Sequence, residues 1–193
     1  MIVRLDFGGE ARRGRCLRVA ERRAPGVGVV AKLSPQLPFR SNSVDEIFLD
    51  HALAHTENFP GIMEELWRVS KPGTLVHLRL PHASSSWAIS RDPRHGAHYT
   101  LETFNYFDPR FKDPKCASPA SFQLEHARLY LTGARRSDRG LALARGAFAR
   151  VIEGLVNQNR GIQYRWERWF APFLGGFEEF YVVLSAVKQP AFG

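Results

Sequence analysis

"LPFRSNSVDEIFLDHALAHTENFPGIMEELWRVSKPGTLVHLRLP", residues 37–81, changes periodicity twice within one run. "DEIFLDHAL" is short and mostly apolar, which reads as a strand. In "FPGIMEELWRVSKPG" the apolar residues Ile62, Leu66 and Val69 recur at helical spacing, and "KPG" serves as the stop. "TLVHLRLPH" then alternates apolar and polar residues, the mark of a second strand. Strand, helix and strand in this order predict an α/β fold with an open, largely parallel sheet. In such sheets ligands sit outside the carboxyl ends of the strands.

Toward the N-terminus, "MIVRLDF", "CLRVA" and "VGVVAKL" read as three more strands. Eight residues separate the first from the second and six the second from the third. A parallel crossover usually takes a dozen or more, with a helix. Either the N-terminal half of the sheet is stripped of its helices, or one of these runs is not a parallel strand.

Beyond the opening stretch, Ala83 to Pro119 is polar and aromatic and too long for an ordinary connection, so a lid or substrate-side insertion over 83–119 is expected. "SFQLEHARLYL" reads as a strand, Ala134 to Asn159 as a basic amphipathic helix, and "FEEFYVVLSAVK" as a last strand. "GIQYRWERWFAPFLGG" between them interleaves rings with arginines and is expected to cover one face of the sheet.

With 193 residues, 44% hydrophobic and 24% charged, the chain suits one folded domain over 1–193. No run approaches the roughly 18 apolar residues of a membrane span, so a cytoplasmic protein without membrane contact is expected. Cys16 and Cys116 lie far apart with no CxxC or Cys/His cluster, against a disulfide framework and against a metal site. The net charge is +8, and residues 1–40 hold nine arginines and lysines against three acids. That edge suits an acidic partner, though a charge run is as often a solvated face.

The order and spacing of "LPF", "DEI", "HALAH" and "RVSKPG" resemble the class I S-adenosylmethionine-dependent methyltransferases, in particular the short type 11 group. "RDPRHGAHYTLETFNYFD" is similar to an element of one subgroup, so the resemblance runs over nearly the whole chain. It implies a reduced Rossmann-like fold with an antiparallel last strand, and S-adenosylmethionine as the cofactor if the protein is active. On that resemblance the cofactor lies against Asp6, Gly8 and Gly9 in the first turn. Ala20 or Glu21 meets the ribose, Lys32 and Leu33 the adenine, and Asp50, His51 and His55 the remainder.

Several of these positions depart from the family pattern. Glu10 stands where a glycine would let backbone approach the ligand. Ala20 replaces the ribose-binding acid, although a shift of one residue would bring Glu21 there. Lys32 replaces an acceptor with a donor, and Ala54 replaces a glutamate. Leu37, Pro38, Phe39, Asp45, Arg68, Lys71, Pro72 and Gly73 are kept. Losing one charge-assisted hydrogen bond costs about 1.5–3 kcal/mol, so two or three losses weaken binding by orders of magnitude.

Three functional readings follow. In the first, the chain is a methyltransferase-like pseudoenzyme with an eroded cofactor site, a scaffold or regulatory subunit in a homo- or hetero-oligomer with an active homologue. In the second it is an active methyltransferase acting on an oxygen or nitrogen nucleophile of a small molecule. His82, Asp92, His95 and Tyr99 are then the candidate bases, because strand ends and lids are where such folds put their chemistry. In the third it binds nucleic acid through "YRWERWF", whose rings serve equally well as a core stripe.

Overall fold

The computed structural model describes residues 2–7, 16–85, 99–111, 118–131, 142–171 and 177–188. Among these, one sheet is built from β1 (Arg4–Asp6), β2 (Leu17–Ala20), β3 (Val29–Val30), β4 (Val44–Asp50), β5 (Ser70–Pro81), β6 (Phe122–Tyr130) and β7 (Glu179–Ala186), in the order β3-β2-β1-β4-β5-β7-β6. β3, β2, β1, β4 and β5 run parallel, and β7 lies antiparallel between β5 and β6. This is the α/β architecture that the alternation of elements predicted.

All three N-terminal runs are parallel strands, so among the described residues the short spacing between the second and third means a missing helix. Residues 21–28 and 31–43 connect their strands without one; the β1–β2 connection lies largely outside the described residues. Strand length explains how so short a return suffices. A strand of four residues rises only about 13 Å, which an irregular loop spans in a few residues. Gly26, at φ +81°, turns the β2–β3 loop, and the N–H groups of Gly28 and Ala31 donate to Arg18 and Ala20 carbonyls at 2.9 Å each.

Three boundaries differ from the sequence reading. β4 stops at Asp50 instead of running through "HAL", because His51 turns left-handed at φ 55° and a 3-10 turn, Ala52–His55, follows. Helix α1 (Phe59–Val69) is capped by the Asn58 side chain, which accepts from Gly61 N–H at 3.0 Å, and ends one residue before β5, so "KPG" belongs to the strand. The expected helix over 134–159 is α2 (Ala142–Val156), followed by α3 (Arg160–Arg165) and a π-helical turn, Trp166–Phe170. Residues 134–141 lie outside the described residues.

The two faces of the sheet differ. On one, Leu5, Ile47, Leu49, Val76, Leu78 and Phe180 belong to a single core with Ile62, Met63 and Leu66 of α1. The aromatic part of the 83–119 insertion closes it, with Phe104 set edge-on to Phe180 and Phe107 to Phe122. The opposite face carries the alternate residues: Arg4 donates to Glu46 at 2.7 Å, Glu46 lies 3.1 Å from His77, and His77 lies 2.6 Å from the Tyr181 hydroxyl. Parallel sheets buried on both faces read as continuous apolar runs. The alternation in "TLVHLRLPH" is the sequence of a two-sided sheet.

The motif residues kept between 37 and 73 hold this fold together. Arg68 donates to both oxygens of Glu65 at 2.7 Å, to the Phe39 carbonyl at 2.7 Å and to Ser41 Oγ at 2.9 Å, while Glu65 accepts Leu37 N–H at 2.6 Å. Asp45 accepts from Lys71 at 2.6 Å and from Val3 N–H at 2.8 Å. "LPF", Asp45, Arg68 and Lys71 are therefore clamps on the β3–β4 loop and the β4–β5 edge. Their persistence follows from the fold and needs no ligand.

At the far edge, Asn157 at the end of α2 receives Leu129 N–H at 2.7 Å and donates to its carbonyl at 2.8 Å, Gln163 donates to the Ala127 carbonyl, and Glu153 accepts from Leu131 N–H. The outward backbone groups of β6 thus end on side chains, a protected edge.

Candidate functional site

Two groups of candidate residues lie at the carboxyl ends of the parallel strands. The first surrounds β1, β2 and β4. Asp6 closes β1 and is buried, Ala20 is the last residue of β2, Glu21 and Lys32 are exposed, and Leu33 sits in the hydrophobic core. Asp50 ends β4, and the strained His51 follows it. His51 Nε2 lies 3.6 Å from Asp50 and 3.4 Å from Glu179, with its N–H donating to the Arg79 carbonyl at 2.9 Å. A left-handed non-glycine residue at a strand end marks a constrained position. His55 is exposed in the turn beyond.

A ribose offers two hydroxyl donors, and a carboxylate at the end of β2 is the natural acceptor. Ala20 presents no side-chain acceptor there, and Glu21, one residue on, is exposed. Lys32 brings a donor and a positive charge. The described side chains at the ends of β2 and β3 are thus an exposed carboxylate, Glu21, beside Ala20, and an exposed ammonium, Lys32. Gly8, Gly9 and Glu10 lie outside the described residues.

The second group is at the end of β5, on the covered side of the sheet. His82 is 2% exposed and is held on both ring nitrogens: Nδ1 lies 2.6 Å from Ser84 Oγ, and Nε2 lies 2.8 Å from Glu167 Oε1. Ser84 N–H also donates to Nδ1, at 3.1 Å. A backbone N–H can only donate, so Nδ1 carries the lone pair and the ring proton sits on Nε2, facing a carboxylate that can only accept. Phe177 and Phe180 pack edge-on against the imidazole.

Glu167 belongs to the π-helical turn and accepts Leu101 N–H at 3.0 Å besides His82, while its Oε2 is buried without a hydrogen-bond partner. A π turn inside a helix often reaims a functional side chain. Tyr99 is buried beside this group, pairs its backbone with His82 and donates its hydroxyl to the Leu53 carbonyl at 3.1 Å; burial pushes its phenol up. Asp92 and His95 lie outside the described residues.

Ser84 and Glu167 were not singled out from the sequence. Ser84 stood in the insertion, and Glu167 was hidden inside "YRWERWF", read for its rings. Of those rings Tyr164 bonds Asn105 and Trp166 meets Phe177, whereas Trp169 and Phe170 are exposed. Among the described residues no cluster of histidine, cysteine and acids could hold a metal, and no helix is long and apolar enough to cross a membrane.

Comparison with known proteins extends these observations. Residues 12–78 match the methyltransferase domain family. A methyltransferase from Haloferax volcanii, solved in complex with the Trm112 methyltransferase activator, superposes at a TM-score of 0.57 with 14% identity over 97% of this chain and 83% of that one. The YcgJ protein from Bacillus subtilis superposes at 0.57 with 15% identity over 98% and 93%. The fold is that of the class I S-adenosylmethionine-dependent methyltransferases. An S-adenosylmethionine-dependent methyltransferase from Archaeoglobus fulgidus adds a third case, at 0.51 and 14% identity over 95% and 86%. No curated protein sequence matches. Identities this low establish the methyltransferase fold, and function rests on the site.

Proposed function

We propose that this chain is a methyltransferase-fold subunit with a weakened S-adenosylmethionine site, acting as the non-catalytic partner of an active homologue. The observation that carries this reading is the pair Ala20 and Lys32 at the ends of β2 and β3, where a nucleoside wants acceptors. The clamps on "LPF" and "RVSKPG" support it, because they account for the retained motif residues on structural grounds. Candidate contact surfaces are the basic N-terminal edge, with Arg22, Arg23 and Lys32 exposed, and the exposed pair Trp169 and Phe170. The Haloferax volcanii protein, solved in complex with the Trm112 methyltransferase activator, is a case of this fold assembling with a protein partner.

The deciding experiment is calorimetric titration of the purified chain with S-adenosylmethionine and, separately, S-adenosylhomocysteine. Absence of heat at millimolar ligand is expected. Micromolar binding of either compound overturns the reading and returns the protein to the active methyltransferases.

A further inference from the structure

The geometry of the series Ser84–His82–Glu167 is that of an activated hydroxyl. We propose that Ser84 is a nucleophile toward activated acyl groups, with His82 as its general base and Glu167 as the residue that orients the base. Three observations carry this. The hydrogen-bond pattern fixes the imidazole in one tautomer, with the basic nitrogen turned to Ser84 Oγ at 2.6 Å and the N–H turned to Glu167 at 2.8 Å. Those distances satisfy the requirement that nucleophile, base and orienting acid lie in hydrogen-bond reach of one another. The three residues also come from separate parts of the chain, the end of β5 and a π turn 85 residues later, so local turn formation explains only the contact between Ser84 and His82.

Burial sorts the group in the right order. His82 and Glu167 are withdrawn from solvent, Ser85 is buried, and Ser84 is the partly exposed member through which the chain reaches the surface. The hydroxyl stands on the tight turn at the carboxyl end of a parallel strand, closed by Ser85 N–H donating to the His82 carbonyl at 2.9 Å. Ligands of open α/β sheets approach from that end.

The step balances without a cofactor. Ser84 Oγ bonds to the carbonyl carbon of an ester or thioester as its proton passes to His82 Nδ1. The tetrahedral adduct expels the alcohol or thiol, which takes the proton back from Nδ1. Water then attacks the acyl-serine by the same route, releasing the acid and restoring the hydroxyl. Glu167 steadies the imidazolium in both halves. This inference goes beyond the proposed subunit role, which is non-catalytic in methyl transfer only, and no step of it involves S-adenosylmethionine.

The test uses the full chain with phenylmethylsulfonyl fluoride as probe, in the absence of S-adenosylmethionine, read by intact mass and peptide mapping. Attack of Ser84 Oγ on sulfur expels fluoride and leaves a stable sulfonyl ester. A single adduct on Ser84 is expected, absent in Ser84→Ala. His82→Gln should slow labelling by about 100-fold or more, and Glu167→Gln should slow it less. No adduct on Ser84 in the folded protein, an adduct on Ser85 instead, or a rate indifferent to His82→Gln overturns the proposal. Should His82→Gln fail to fold, Glu167→Gln decides: labelling as fast as in the wild-type chain overturns it.

Discussion

His82 Nε2 lies 2.8 Å from Glu167 Oε1, and the two residues bind the end of β5 to the tail of the chain. Because Glu167 also takes the N–H of Leu101, one carboxylate secures three segments that are remote in sequence. Both partners are almost fully buried, so this contact acts without the solvent screening that weakens surface pairs.

Removing that carboxylate should therefore be costly. Glu167→Ala leaves His82 Nε2–H and Leu101 N–H without acceptors, and the expected loss is about 2–4 kcal/mol. Urea denaturation measures it. A loss below about 0.5 kcal/mol, the size of an ordinary surface substitution, would show that the contact does not hold the tail.

The clamp around Glu65 makes a second prediction. Arg68→Leu strands a buried carboxylate, with an expected cost of about 2–3 kcal/mol after allowance for the partial exposure of the guanidinium. Arg68→Lys should recover part of this, because an ammonium keeps the charge and loses the fork. Equal destabilisation by Arg68→Leu and by Glu65→Gln with Arg68→Leu together would mean that Glu65 is not the group being stranded.

Acid should open the same clamp. Burial pushes the Glu65 carboxyl up, but hydrogen bonds from Arg68 and Leu37 N–H and the Arg68 charge outweigh it and hold the carboxyl below its ordinary value of 4.5. A depressed carboxyl contributes stability above the unfolded value and loses it as pH falls through the folded one. Stability should thus be flat above about 4.5 and fall on further acidification, with a shallower fall in Glu65→Gln. Identical acid curves for the two proteins would remove Glu65 from the account.

The unlike faces of the sheet can be told apart by paired substitutions. Ile47 is fully buried on the apolar face, and Ile47→Ala should cost about 2–5 kcal/mol. Val30, 54% exposed on β3, should accept lysine within about 0.5 kcal/mol. A large cost at Val30 would indicate that another surface covers that end of the sheet.

The legible part of the molecule was the part governed by periodicity. Ile62, Leu66 and Val69 fixed α1, and the alternation of "TLVHLRLPH" predicted a strand whose second face turned out to be the polar one bearing His77 and Arg79. Boundaries were less readable, because the left-handed turn at His51 and the immediate passage from α1 to β5 depend on backbone geometry that the side chains do not announce. The candidate site was readable only in halves. His82 could be suspected from its place at a strand end, but Glu167 comes from 85 residues away, and no local pattern encodes a contact made by tertiary packing. The retained motif residues also carried two meanings at once: Arg68 and Lys71 look like marks of an activity, and their contacts are those of a clamp.

The side chains of Asn157, Gln163 and Glu153 along β6 have a consequence for growth of the sheet. They occupy the backbone positions on which an incoming strand would template itself, so recruitment of a foreign strand on that flank would first require undocking α2 and α3. The opposite flank ends in β3, two residues long, reached by a loop that carries the exposed Arg22 and Arg23. Such a sheet is guarded at one margin by carboxamides and a carboxylate and at the other by brevity and charge, the devices that discourage edge-to-edge stacking.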